Sequence, residues 1–191
     1  MEKRNGRPRE YNISPAPGYK SEELGFRAAW LAELRERVID QISWLPPNAL
    51  NYVSGDTKLS IARLARHLAW AEATWFGKAG GPEPAADLAE LLSVDALSGF
   101  SADPVPADSA EPLVAAIRRI GEEVAKPTLR AASDIDSVVL EDGTTMRGIV
   151  MHLECHWLYH SGHIGLLAFE CGYDYTWRAN RPYAPNPPGP R

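Results

Sequence analysis

The 191-residue chain is 45% hydrophobic and 24% charged, enough apolar material for one buried core and ordinary for a globular domain. Its formal charge of -5, with 20 Lys and Arg scattered along the chain, excludes a general nucleic-acid binder, which carries a basic patch or stripe. No apolar run approaches the ~20 residues a membrane helix needs, and Met1 to Glu10 is too polar for a signal peptide.

Residues 1–20 hold Pro8, Pro15, Pro17 and Gly18 with little periodicity, and read as a flexible lead-in. The basic cluster Lys3, Arg4, Arg7 and Arg9 within it reads as a solvated arm. Ser21, Glu22 and Glu23 start a first helix, with acidic residues at the positive end of its dipole. Leu24, Ala28, Leu31, Leu34, Val38 and Ile42 then recur at helical spacing as one buried stripe, until Pro46 and Pro47 end it. Ser60 is the expected N-cap of a second helix running through Ile61, Leu64, His67, Leu68 and Trp75 to about Phe76.

Residues 81–110, rich in Pro, Ala, Asp and Ser, form a long crossover with one short helix around Ala86 to Leu92. A third helix begins near Ser109 with the stripe Leu113, Ala116, Ile117, Ile120 and Val124, and Pro127 should kink or shorten it. Thr144 or Thr145 caps a last helix from Met146 to Cys171, and Gly172 stands where a helix-terminating glycine belongs. The expected fold is therefore all-α: a four-helix bundle over residues 21–176, with a long crossover between helices 2 and 3. Residues 177–191 form a Pro-rich tail whose aromatics, Trp177 and Tyr183, are expected to pack on the bundle.

Four of the five histidines, His152, His156, His160 and His163, lie in the last helix. At ~100° per residue they share one face, within about 80° of one another. The fifth, His67, sits in helix 2 beside Leu64, Leu68 and Ala71. An i, i+4 pair such as His156 and His160 presents imidazoles from successive turns, and His67 on a facing helix supplies a third ligand for a divalent metal. Three protein ligands leave a coordination position open, as in catalytic sites. An isolated i, i+4 pair usually binds nothing. Four imidazoles on one face must instead be solvated or find partners, since a buried unsatisfied ring costs about 1–3 kcal/mol.

His163, or Glu72 if it faces inward, is the candidate proton carrier, with Glu72 otherwise read as an exposed acid and Trp75 as a core aromatic. His152 reads as a core residue or a neighbour of the ligands. Glu154 and Glu170 read as solvated charges, although either could act as a base. Cys155 points ~100° from His156 and reads as a core thiol. Cys155 and Cys171 are ~24 Å apart along one helix and cannot bridge, so a reducing cytoplasm is the expected location. No phosphate loop, nucleophile elbow or Cys-x-x-Cys pair is present.

Two blocks resemble the DinB/YfiT-like superfamily of metal-binding four-helix bundles. The first runs from Ser60 to Phe76 with His67, Glu72 and Trp75. The second runs from Met146 and Arg147 through His152, His156, His160, Gly162, His163 and Ile164 to Gly172. The second block is especially similar to the branch that contains mycothiol-dependent maleylpyruvate isomerase. There the first of the two last-helix ligands is a Glu; here it is His156.

The resemblance implies a site of His67, His156 and His160 for Zn or Ni first, with Fe(II) or Mn as further candidates. It also implies a small-molecule substrate and a low-molecular-weight thiol as cosubstrate. The expected activity is that of a metalloenzyme, a thiol S-transferase or next a hydrolase. The alternative is a non-enzymatic metal-binding or stress-response protein. Pairing into a homodimer through a helix face is compatible with such a bundle.

Overall fold

The computed structural model describes residues 1–96 and 102–179. In chain order the elements are β1 (Glu2–Arg9), α1 (Glu22–Ile42), α2 (Pro47–Leu50), α3 (Ile61–Lys78), α4 (Ala86–Ala96) and α5 (Glu111–Ile120). A π turn (Gly121–Ala125), α6 (Lys126–Ala131), α7 (Met146–Glu170) and β2 (Tyr173–Ala179) follow. The protein is mostly helical, and no described helix is long and apolar enough to cross a membrane.

The helix starts are set locally. Ser21, Ser60 and Thr145 each accept a hydrogen bond from the backbone N–H three residues on, capping α1, α3 and α7. Gly172, at φ 98°, turns the chain out of α7 in a conformation that penalises any residue with a Cβ. Both expected stripes, Leu24 to Ile42 in α1 and Leu113 to Val124 across α5 and the π turn, are buried. They meet Leu64 and Leu68 of α3 and Ile149, Leu153 and Trp157 of α7 in one core. α1 packs on α7 and α5, α3 packs on the same two helices, and the crossover helix α4 lies against α3.

Ahead of Pro127 the regular α-helix gives way to a π turn, and α6 then carries the third helix on to Ala131. Lacking an N–H, and with a ring that would strike the Glu123 carbonyl in a regular α-turn, Pro127 follows the wider π turn and enters the first turn of α6. Thr128 Oγ1 donates to the Val124 carbonyl at 2.6 Å.

The all-α expectation needs one correction. Glu2–Arg9, within the expected lead-in, pairs in parallel with Tyr173–Ala179, so the chain's two ends form a two-stranded sheet. The basic cluster is not a solvated arm, because α1 offers it acids. Asp40 accepts from Arg4 Nη2 at 3.2 Å, from the Arg7 backbone N–H at 2.8 Å and from the Tyr175 hydroxyl at 2.6 Å. Glu33 accepts from Arg7 Nη2 at 2.8 Å and Arg37 Nε at 2.9 Å. Trp177 lies in β2 beneath the Arg9 guanidinium and is half exposed. Tyr183, the rest of the tail and positions 97–101 of the crossover lie outside the described residues.

Gly6 lets this sheet close on α1. A Cβ there would collide with the Tyr175 ring and hydroxyl. Gly6→Ala should therefore pull Tyr175 off Asp40 and cost about 1–3 kcal/mol, the usual range for overpacking. Urea unfolding checks it, and an unchanged midpoint would mean that the sheet adds nothing to stability.

Candidate metal centre

His67 reaches the centre from the middle of α3, while His156 and His160 come from successive turns of α7. One ring nitrogen from each lies within 4.8 Å of the other two. The His67 and His156 Nε2 atoms are 3.0 Å apart. Two nitrogens bound to one ion at about 2.0–2.1 Å stand roughly 3.0–3.4 Å from each other, so this pair already has the spacing of ligands. Between neutral rings without metal, the same distance is an N–H···N hydrogen bond.

The electrostatics favour neutral rings with lone pairs available. Burial lowers the His67 pKa. Burial, then the neighbouring His67 and His152, brings His156 down to about 4. Burial, then His156, His67 and His163, brings His160 down to about 3. An imidazolium must donate from both nitrogens. His156 Nδ1 is buried with no hydrogen-bond partner among the described residues, and its Nε2 faces another imidazole. The donor set thus fits a divalent cation and disfavours protons at neutral pH.

The profile of one protein family, described as Mycothiol-S-transferase, matches residues 28–168, a span that holds all three histidines. The chain belongs to the mycothiol-S-transferase family. This places it in the DinB-like superfamily, as the two sequence blocks suggested. No curated protein and no solved structure matches it.

In this mycothiol-S-transferase family member the other singled-out residues take distinct places. His163 Nδ1 meets His160 Nδ1 at 3.3 Å, a contact that holds the orientation of the His160 ring. His152 is exposed and stacks on His156, with ring centroids 5.6 Å apart and Trp75 on its other side. Trp75 is only half buried, and Lys78 sits over its ring. Trp70, one turn from His67 and stacked 6.2 Å from it, walls that side of the centre. Tyr159 packs on the rings of His160 and His163. Sequence reasoning passed over both aromatics, although Trp70 stands at the i+3 position of a proposed ligand.

Three expectations are corrected. Glu72 is not an exposed acid but faces the interior. It is 0% exposed, with Oε1 paired to Arg35 of α1 and Oε2 accepting from the Trp157 indole at 2.9 Å. Burial pushes its carboxyl up, while Arg35 and Trp157 pull it back. Glu154 is buried and bound by Arg27 Nη1 at 2.9 Å rather than solvated. Cys155 is exposed rather than in the core, because its ~100° offset from His156 turns it outward.

His163→Ala should keep the fold and weaken metal binding about 10–100-fold, the usual cost of losing a group that orients a metal ligand. Competition against a chromophoric chelator measures it, and an unchanged affinity would show that the 3.3 Å contact does not orient His160.

Proposed function

We propose that the chain is a metal-dependent thiol S-transferase built on a DinB-type four-helix bundle. His67, His156 and His160 are the ligands of its divalent ion. Family membership and the convergence of three neutral imidazoles support this reading, and the 3.0 Å spacing of His67 and His156 carries it. All-imidazole ligation suits Zn or Ni, with Fe(II) and Mn weaker candidates. When bound, such an ion supplies positive charge that holds a low-molecular-weight thiol as its thiolate, the nucleophilic form.

The protein's own groups orient and enclose. His163 fixes the His160 ring, and the Trp157 bond to Glu72 anchors the helical turn that carries His156. Trp70, Trp75 and Tyr159 form apolar walls that keep water from the nucleophile and suit a small electrophilic substrate with apolar surface. Hydrolysis is the weaker reading, because Glu72 and Glu154, the nearest acids in sequence to the ligands, are both committed to arginines. Two free cysteines and the use of a reduced thiol suit a cytoplasmic location.

The test is elemental mass spectrometry of untagged protein beside His156→Ala/His160→Ala, followed by thiol consumption with mycothiol and a panel of electrophiles. About one metal per chain, absent from the variant, together with metal-dependent thiol consumption is the expected result. No metal after reconstitution with Zn, Ni or Fe(II) would overturn the site. A loaded protein that consumes no thiol would leave the non-enzymatic metal-binding reading in its place.

A further inference from the structure

Met151, Leu158, Tyr159, Leu166 and Phe169 of α7 and Trp177 of β2 are each between 47 and 65% exposed. Single exposed apolar residues are ordinary, but five along one helix face form a patch of the kind that marks an interaction surface. This is not the histidine face. At ~100° per residue it is centred about a third of a turn from His156, with Tyr159 at the border between the two.

The order of residues on this face has a centre. Leu158 and Leu166 lie one turn either side of Gly162, and Cys155 and Phe169 lie two turns either side. Gly162 is exposed in the middle of a 25-residue helix, and a Cβ there would meet nothing within 4 Å. A mid-helix glycine weakens a helix relative to alanine, and none of the described residues uses the room it leaves. A second helix crossing close at that point would use it.

We propose that this face binds a second copy of the chain, α7 against α7, crossing antiparallel at Gly162 on a two-fold axis. Such an interface must be self-complementary. The symmetric spacing provides this, because Leu158 of each copy faces Leu166 of the other. None of these positions is charged. A large side chain presents about 150–250 Å² when fully open, so six that are half open offer roughly 600 Å² per copy. The pair would bury about 1,200 Å², the lower end of what a stable specific interface needs. Dimerisation would also cover Tyr159 and so close the neighbouring side of the histidine cluster.

Sedimentation equilibrium of the full chain tests the proposal without reference to metal or activity. The wild type should be a dimer. Leu158→Glu should weaken association on the order of 100-fold or more, because the change enters the interface twice. Leu158→Glu/Leu166→Lys should restore it, since each Glu then faces the other copy's Lys, and Leu158→Glu/Leu166→Glu should not. Both positions are exposed, so unchanged helical circular dichroism and melting temperature separate lost association from lost fold.

A wild type that is monomeric at every concentration would overturn the proposal, as would a dimer indifferent to these charges. A dimer that appears only after residues 180–191 are removed would also overturn it, assigning the face to the chain's own C-terminal segment.

Discussion

Glu72→Ala should destabilise the protein by about 3–5 kcal/mol, the largest loss expected from any single substitution here. The carboxylate is fully buried and joins α1, α3 and α7 through Arg35 and Trp157. Gly121 brings the third long helix to the same point, where a Cβ would sit 2.8 Å from Arg35 Nε. Truncating Glu72 strands the Arg35 cation in the core and leaves the indole N–H of Trp157 without its acceptor. Against a typical total stability of about 5–15 kcal/mol, such a change can unfold the chain at ambient temperature.

The cost reflects the uncompensated charge more than any net attraction. Glu72→Leu/Arg35→Met should accordingly recover most of the loss. Urea unfolding of the two variants decides it. A Glu72→Ala loss below about 1 kcal/mol would mean that water or a rearranged Arg35 relieves the charge, and that the network does not organise the core.

If His67, His156 and His160 hold a divalent metal as proposed, stripping it should lower the melting temperature and leave a protein whose stability declines from about pH 6.5 downward. Metal at 100 times its dissociation constant adds about 2.7 kcal/mol to the folded state, and a chelator removes that. The sign of the pH effect follows from the histidines. Unfolded, their imidazoles titrate near 6.5. In the folded, metal-free protein burial and mutual proximity hold His156 near about 4 and His160 near about 3.

Between those values the unfolded chain binds more protons, so each fall in pH favours unfolding until the folded pKa values are reached. Above pH 7.5 the term vanishes. Carboxylates such as Glu23, held low by Arg27, add their own loss only at lower pH, whereas Glu72 and Glu154, pushed up by burial, oppose the slope, so the histidine part over the window from about 6.5 to 5 is the difference between the wild type and a variant without His156 and His160. Thermal melts of chelated protein should show this slope, and His156→Ala/His160→Ala should flatten it. A wild-type profile parallel to that of the variant over that window would show that the metal-free imidazoles are solvated.

Much of the helical framework was legible in the sequence because its causes are local. Ser21, Ser60 and Thr145 cap backbone groups three residues away, Gly172 ends its own helix, and the 3.6-residue period assigns Leu24 to Ile42 to one buried face. His156 and His160 could be paired for the same reason, being one turn apart. That His67 joins them across 89 residues was read from its place beside core-facing residues of a second helix and from the resemblance of two blocks, and the geometry brings the three rings together.

The errors fall where a residue's environment is made by distant chain. Glu72 looks like an ordinary helix acid until Arg35, 37 residues earlier, and Trp157, 85 residues later, close on it. Arg4 and Arg7 look like a loose basic arm until Asp40 and Glu33 of α1 meet them and Tyr173–Ala179 pairs alongside. Period, caps and the histidine face were determined by the sequence, since neighbours along the chain supply the interactions. Which charges are buried, what each acid pairs with and how the two chain ends join were decided only by tertiary structure, because burial and ion pairing depend on which remote surfaces come together.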